Sequence, residues 1–323
     1  MKIVFFGTPE FATASLRNLV ENGYDVAAVV TMPDKIGGRG HKVIESDVKK
    51  YAVAHGIPVM QPEKLRDPEF IARLKAVGAD LFIVIAFRML PEIVWGMPPM
   101  GTFNLHASLL PDFRGAAPIN HAIIAGRKET GVTTFLISHE IDTGGILMSA
   151  STPIYPEDNA GTLHDRLMEL GAEVTLRTVN GLDNGSLRPV PQPDGIFAPA
   201  PKIFKHTCRI NFDLPSANVV DFIRGHAPYP AAWSVMRENN GREVEVKITG
   251  ACHASDRIAV PQDACPGKIF TAGRHMYAVT ADGAIEITAL QPAGKRVMEA
   301  SALLAGYHPD LFIAPIKDDL PAK

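Results

Sequence analysis

Asn104 and His106 stand two residues apart in the segment Thr102-Phe-Asn-Leu-His-Ala-Ser-Leu-Leu-Pro111. Side chains at i and i+2 of a strand leave the same face, so an amide and an imidazole would emerge side by side. Such a pair suits a reaction that passes through a tetrahedral oxyanion. The amide donates a fixed hydrogen bond to the developing charge, and the imidazole gives a proton or a second hydrogen bond. The same spacing also describes two polar side chains that satisfy nearby backbone at a strand end, and spacing alone does not choose. Asp142, in Ile141-Asp-Thr-Gly-Gly145, occupies a glycine-containing turn between two apolar runs. A carboxylate brought near His106 would fix the ring and stabilise a proton on it. A turn with no catalytic part is the other reading of Asp-Thr-Gly.

Other chemistries lack their residues. Gly7-Thr-Pro-Glu10 follows the first apolar run, where a dinucleotide-binding turn would lie, but it has no G-x-G-x-x-G, and Pro9 removes an amide donor. Gly37-Gly-Arg-Gly40 has no Lys-Ser/Thr after it, and neither G-x-S-x-G nor H-E-x-x-H occurs. The three cysteines, Cys208, Cys252 and Cys265, form no C-x-x-C pair. Hydride transfer, nucleotide hydrolysis and zinc chemistry all lose weight, and no metal is expected.

The elements that must position Asn104, His106 and Asp142 can be read from periodicity. Strand-like Lys2 to Phe6, Val26 to Thr31 and Leu81 to Ala86 alternate with helix-like Phe11 to Asn22 and Val48 to His55. Continuous Val/Ile/Phe runs mark strands buried on both faces, which predicts a doubly wound α/β domain with a parallel sheet. Its ligand crevice would lie beyond the C-terminal strand ends. From Asn180 the texture changes to Asn-Gly pairs and five prolines between 189 and 201. After a helix-like Ala217 to Gly225 come short β-type runs at Val244 to Ile248, Lys268 to Phe270, Met276 to Thr280 and Ile285 to Leu290, which predict a small β-barrel. The expected organisation is a catalytic domain over 1–188, a linker over 189–206 and a β-barrel domain over 207–323.

Composition bounds the partners. The 323 residues carry a net charge of −3 and are 46% hydrophobic and 21% charged, proportions of an ordinary globular chain. Leu81 to Phe87 is too short to cross a bilayer, and Met1 to Pro9 lacks the apolar core of a signal peptide, so a cytoplasmic protein is expected. A near-neutral chain is not a uniformly basic nucleic-acid binder, so an RNA partner would need a local patch. Asp34 to Lys50 offers one, with five cations against three carboxylates; residues 207–323, with 12 Lys and Arg against 13 Asp and Glu, offer none overall.

Asn104-Leu-His106, Ser108-Leu-Leu-Pro111, Arg114-Gly-Ala-Ala-Pro118, Thr130-Gly-Val-Thr133 and Ile141-Asp-Thr-Gly144 together resemble the 10-formyltetrahydrofolate-dependent formyltransferases. The likeness runs nearly end to end, through Phe6-Gly-Thr-Pro-Glu-Phe11, Met32-Pro-Asp34 and Pro228-Tyr-Pro230 with Trp233. Gly38-Arg-Gly40 and Gln291-Pro-Ala-Gly-Lys295 resemble the branch that acts on tRNA. The resemblance implies a Rossmann-like formyltransferase domain followed by a C-terminal OB-like β-barrel. It implies transfer of the formyl group of 10-formyltetrahydrofolate to the amine of initiator methionyl-tRNA, with no metal; a monomer is the default expectation, since the sequence does not reveal the oligomeric state. Asn104 and His106 would stabilise the oxyanion while Asp142 orients His106. Phe87, Arg88, Met89, Leu90, Ser108, Leu109, Leu110, Pro111, Thr143 and Gly144 would line the folate, and Arg39, Lys42 and Lys295 would meet the tRNA. A sugar-nucleotide formyltransferase, with an aminosugar as acceptor, is the alternative. Phe87-Arg88 departs from the Tyr-Gly-like pair of many members, and Gly145 stands where many carry an acid.

Overall fold

The computed structural model describes residues 1–37, 42–262 and 264–315. The chain forms two compact units, the first made of 1–118, 130–152 and 164–199, the second of 119–129, 153–163 and 200–323. Residues 189–199, whose prolines read as the start of a linker, are therefore grouped with the first unit.

The first unit is built on strands β1 (Lys2–Gly7), β2 (Asp25–Val30), β3 (Val59–Met60), β4 (Leu81–Ile85), β5 (Thr102–His106), β6 (Glu129–Leu136) and β7 (Ile146–Pro153). They form one sheet in the order β7-β6-β5-β4-β1-β2-β3, in which β5, β4, β1, β2 and β3 run parallel and β6 runs antiparallel to β5. The apolar runs behave as their composition requires. Val4, Phe6, Phe82 and Val84 pack with Phe70 and Leu74 of the helix Pro68–Ala76, while Ile3, Phe5 and Ile83 are fully buried on the opposite face. Asp67 caps that helix by accepting from the backbone of Glu69 and Phe70, and Pro68 starts it, so the sequence writes its own boundary. Helices α1 (Glu10–Glu21) and α2 (Ala160–Asp183) are joined where the Asn18 amide donates to the Ala172 carbonyl at 3.0 Å. Gly171 of α2 lets that helix lie against Leu105, since a Cβ there would come within 2.7 Å of the leucine side chain.

The strand order reverses between β1 and β4, the place where an open α/β sheet opens a crevice at its C-terminal edge. Residues 86–90 leave that edge from β4, and His106 ends β5 beside it, with Val84 paired to Asn104 and Ile85 to Leu105. Gly131 in β6 is required by the neighbouring strand, because a Cβ there would sit 2.1 Å from the Ala150 carbonyl oxygen.

The second unit closes six strands into a barrel-like sheet: β8 (Ala232–Glu238), β9 (Glu243–His253), β10 (Ile269–Ala272), β11 (His275–Val279), β12 (Ala284–Pro292) and β13 (Pro309–Ile313), in the order β10-β11-β12-β9-β8-β13. A bridge between Lys268 and Leu311, and donation from Phe312 N to the Gly267 carbonyl at 2.7 Å, join its two ends. Met236, Val246, Ile248, Met276, Ile285, Leu290 and Phe312 fill the interior, covered by Val219, Val220 and Ile223 of the helix Ser216–His226. The antiparallel barrel is the architecture that the short β runs predict. Among the described residues no helix is long and apolar enough to cross a membrane.

Burial makes two imidazoles of the second unit, His121 and His226, less basic than a histidine in water, even though each holds a backbone carbonyl, that of Pro201 and that of Phe222. The unfolded chain then binds more protons around the ordinary histidine range near ~6.5, so stability is full above that range and lost as pH falls through it. The denaturation midpoint is expected to drop between pH 7.5 and 5.5, and His226→Phe is expected to flatten that drop; an equal slope in both proteins would contradict the assignment.

Candidate active site

His106 ends β5 with its ring 7% exposed. Its Nε2 lies 2.8 Å from the Phe113 carbonyl oxygen, which can only accept, so Nε2 carries a proton and donates it. The ring also meets Phe135 of β6 edge to face, at 6.4 Å between centroids. Nδ1 is left facing the Asp142 carboxylate at 3.8 Å, outside hydrogen-bond range. The orientation expected from Asp142 is thus supplied in this structure by a backbone carbonyl, and Asp142 stands as a charge beside the free nitrogen. Asn104, one pleat earlier on the same face, is half-buried, and its amide has no hydrogen-bond partner among the described residues. An unspent amide donor beside an imidazole with one available nitrogen is the equipment of an oxyanion and proton-transfer site.

The segment between His106 and Phe113 is locked to β6. Thr133 donates through its hydroxyl to the Ser108 carbonyl at 2.7 Å and accepts from Leu110 N at 3.1 Å, while Ser108 Oγ donates to the Asp112 carbonyl at 2.7 Å. This brings Phe113, at φ 61°, back against His106. Ser108, Leu109, Leu110 and Pro111 are held here, with Ser108 and Leu110 buried.

Asp142 has φ 56°, left-handed backbone that is uncommon outside glycine, although aspartate adopts it more readily than most residues. Its Oδ2 accepts from Gly115 N at 2.9 Å. Gly144 makes the turn possible, because a Cβ there would lie 1.7 Å from the Leu136 carbonyl oxygen. Thr143 faces away from His106 in its bonding, with its hydroxyl donating to the Glu140 carbonyl at 3.1 Å.

The sequence reading missed two participants. Gln192 donates its amide to the carbonyls of Asp142 at 2.9 Å and Gly144 at 2.8 Å, and Arg114 donates Nε at 3.2 Å and Nη2 at 2.6 Å to the Gln192 side-chain oxygen. Arg114 was visible in its motif; Gln192, in proline-rich chain, gave no signal.

Phe87, Arg88, Met89 and Leu90 follow the end of β4. Phe87 packs edge-on against Phe6 at 5.9 Å and Leu90 is buried, whereas Met89 is 75% exposed. Arg88 turns inward and donates to the carbonyls of Glu63, at 2.7 Å, and Pro62. Burial lowers its basicity, and no carboxylate pairs with it among the described residues. Among the described residues no cluster of His, Cys, Asp or Glu could hold a metal ion.

The sequence profile named formyl transferase matches residues 1–179, and the profile of the formyl transferase C-terminal domain matches residues 202–308. The chain belongs to the formyl transferase family.

This formyltransferase is 49% identical over 313 residues to the methionyl-tRNA formyltransferase of Bacteroides fragilis, with 95% of each chain covered. It is 46% identical to that of Porphyromonas gingivalis, over 95% of this chain and 96% of that one. Among solved structures it resembles WlaRD, a sugar 3N-formyl transferase, at a TM-score of 0.65 and 20% identity, covering 92% of this chain and 99% of that one. It also resembles HypX from Aquifex aeolicus in complex with tetrahydrofolic acid, at a TM-score of 0.62 and 18% identity, covering 94% of this chain and 47% of that one. At these identities the two structures speak to the fold alone.

Of the three cations singled out for tRNA, Arg39 lies outside the described residues, as does the Lys42 side chain, and Lys295 is exposed. Lys49 is tied to Asp34 and Glu45, and the Asp34 hydrogen bond raises its basicity. In the second unit of the formyltransferase, Lys205 and Arg209 lie 5.3 and 5.0 Å from the Trp233 ring and Lys202 lies 5.4 Å from Phe204, with Lys205 also paired to Glu245 at 2.9 Å.

Gly144→Ala is expected to leave the far-ultraviolet circular dichroism unchanged and to cut turnover by at least about 10²-fold, because displacing the Asp142 turn by about 1 Å misplaces the carboxylate. Turnover within about threefold of the parent would show that the turn position is not needed.

Proposed function

We propose that this chain transfers the formyl group of 10-formyltetrahydrofolate to the α-amino group of initiator methionyl-tRNA. The observation that carries the reading is the 49% identity over 95% of both chains with a methionyl-tRNA formyltransferase. The aminosugar alternative rests on a likeness of 20% identity, which speaks to the fold alone.

The donor is assigned to the crevice beyond β4 and β5. Asn104 presents a free amide there, and Met89 and Ile141, 75% and 60% exposed, offer apolar surface to a flat heteroaromatic ring. Arg88 donates its two terminal nitrogens to the carbonyls of Pro62 and Glu63, so it shapes the wall of the crevice. Ser108 to Pro111 and Thr143-Gly144 are assigned to the opposite wall.

The neutral methionine amine attacks the formyl carbon, a C–N bond forms, and the carbonyl oxygen takes the negative charge. Asn104 donates to that oxygen. The attacking nitrogen then carries one proton too many, and N10 of the folate, as the C–N bond to it breaks, needs one. His106 is suited to this exchange because Nε2 is spent on Phe113 and only Nδ1 is available to take a proton and return it. The Asp142 charge at 3.8 Å stabilises the imidazolium while it exists. Losing an oxyanion donor costs about 10²–10³ in rate and losing a general acid–base about 10²–10⁴. With the two substrates held in contact, no metal is called on.

For tRNA, Arg39 and Lys42 of the segment 34–50, the exposed Lys295, and the Lys202, Lys205 and Arg209 cations beside Phe204 and Trp233 are assigned to recognition. Cations interleaved with aromatic rings suit phosphates and unpaired bases together.

The test is transfer of a labelled formyl group from 10-formyltetrahydrofolate to methionyl-initiator-tRNA, with an aminosugar nucleotide in parallel. Transfer to the tRNA is expected, falling at least about 10²-fold in Asn104→Ala, His106→Ala and Asp142→Ala. Transfer to the sugar alone would overturn the reading, and near-parental turnover in one variant would remove that residue from the chemistry.

A further inference from the structure

We propose that residues 189–198, which composition marks as linker, form a strap that completes the catalytic site, and that Gln192 is its positioning residue. The inference rests on the formyl-transfer reading given above. After α2 the chain returns across the two loops that hold His106 and Asp142 and is fastened to both. Ile146 and Val190 exchange backbone hydrogen bonds, Ile146 N to Val190 O at 2.7 Å and Val190 N to Ile146 O at 2.8 Å, beside the Asp142 turn. Gly145 leaves room for Pro189, since a Cβ there would meet the proline ring at 2.9 Å.

At its far end the strap grips the other loop. Phe113 N donates to the Ala198 carbonyl at 2.6 Å, and Ala198 N donates to Asp112 Oδ1 at 3.0 Å. Phe113 is the residue whose carbonyl takes the Nε2 proton of His106. One strap therefore fixes the acceptor on one side of the imidazole and the carboxylate on the other.

Gln192 joins the two ends. Its amide nitrogen has two hydrogens, and both are used, on the carbonyls of Asp142 and Gly144. Its oxygen takes two donors from Arg114, whose guanidinium also lies 5.8 Å from the Phe197 ring of the strap. Arg114 fixes which end of the amide points at the carbonyls, because it can only donate. Asp142 is left-handed, and the two hydrogen bonds that Gln192 donates across the turn hold its backbone, while Gly115 N holds its carboxylate. Gln192 touches neither His106 nor Asn104, and acts through Asp142.

Gln192→Ala removes the whole interaction, whereas Gln192→Glu keeps length and the acceptor for Arg114 but replaces the donating amide by a carboxylate facing two carbonyl oxygens. Both are expected to lower kcat on the order of 10-fold to 10²-fold with KM for both substrates within about threefold. In an Asp142→Ala background, adding Gln192→Ala is expected to cost less than about twofold more, because the two act as one unit. Parental kcat in Gln192→Glu, or full additivity in the double variant, would overturn the proposal. Hydrogen exchange of the Gly115 amide, which donates to Asp142, reads the same positioning without substrate. It is expected to quicken at least about 10-fold in both single variants, and an unchanged rate would overturn the strap on its own. The formyl-transfer reading fails separately, if the parent does not formylate methionyl-tRNA.

Discussion

The hydrogen bond from His106 Nε2 to the Phe113 carbonyl is the constraint around which the site is arranged. A buried imidazole needs a partner for each polar nitrogen or forfeits its hydration. With Nε2 paired to an atom that can only accept, its proton cannot be exchanged with substrate, and all acid–base traffic falls to Nδ1. Phe135 packs edge to face against the ring. Asp142, 3.8 Å from Nδ1, then supplies electrostatic support without fixing the ring.

That arrangement is built from backbone that does not relax into it unaided. Phe113 and Asp142 both sit in left-handed conformations, and each such residue costs on the order of 1–3 kcal/mol, which its surroundings must offset. The surroundings do so with ordinary parts: Thr133 pins the loop at Ser108 and Leu110, and Gly144 lets the turn lie against Leu136. The parallel sheet contributes the flat, rigid edge from which Asn104 and His106 project, and α2 buttresses it by approaching Leu105 at Gly171.

Much of this was legible in the residues. Continuous Val/Ile/Phe runs gave the parallel strands, because burial on both faces leaves no alternation, and the i, i+2 spacing put Asn104 and His106 on one face once Thr102 to His106 was a strand. Closure of the second unit's sheet followed from its short β runs. What stayed hidden has physical reasons. The acceptor for His106 is a main-chain carbonyl, which every residue has and no sequence marks. Gln192 lies 50 residues from Asp142 and 78 from Arg114, and its neighbours Pro189, Pro191 and Pro193 read as unstructured chain because prolines forbid regular hydrogen bonding without forbidding a fixed path. Likewise the packing of Lys205 and Arg209 against Trp233 cannot be read from a charge total, since it exists only after folding.

The central claim is that a backbone carbonyl, and not a carboxylate, sets the orientation and protonation of the histidine. Nitrogen-15 chemical shifts of His106, measured in the substrate-free protein on the alkaline side of the imidazole titration, test it directly. The expected result is a protonated Nε2 and a bare Nδ1. A proton on Nδ1 with Nε2 bare would mean that Asp142 holds the ring, and would contradict the account.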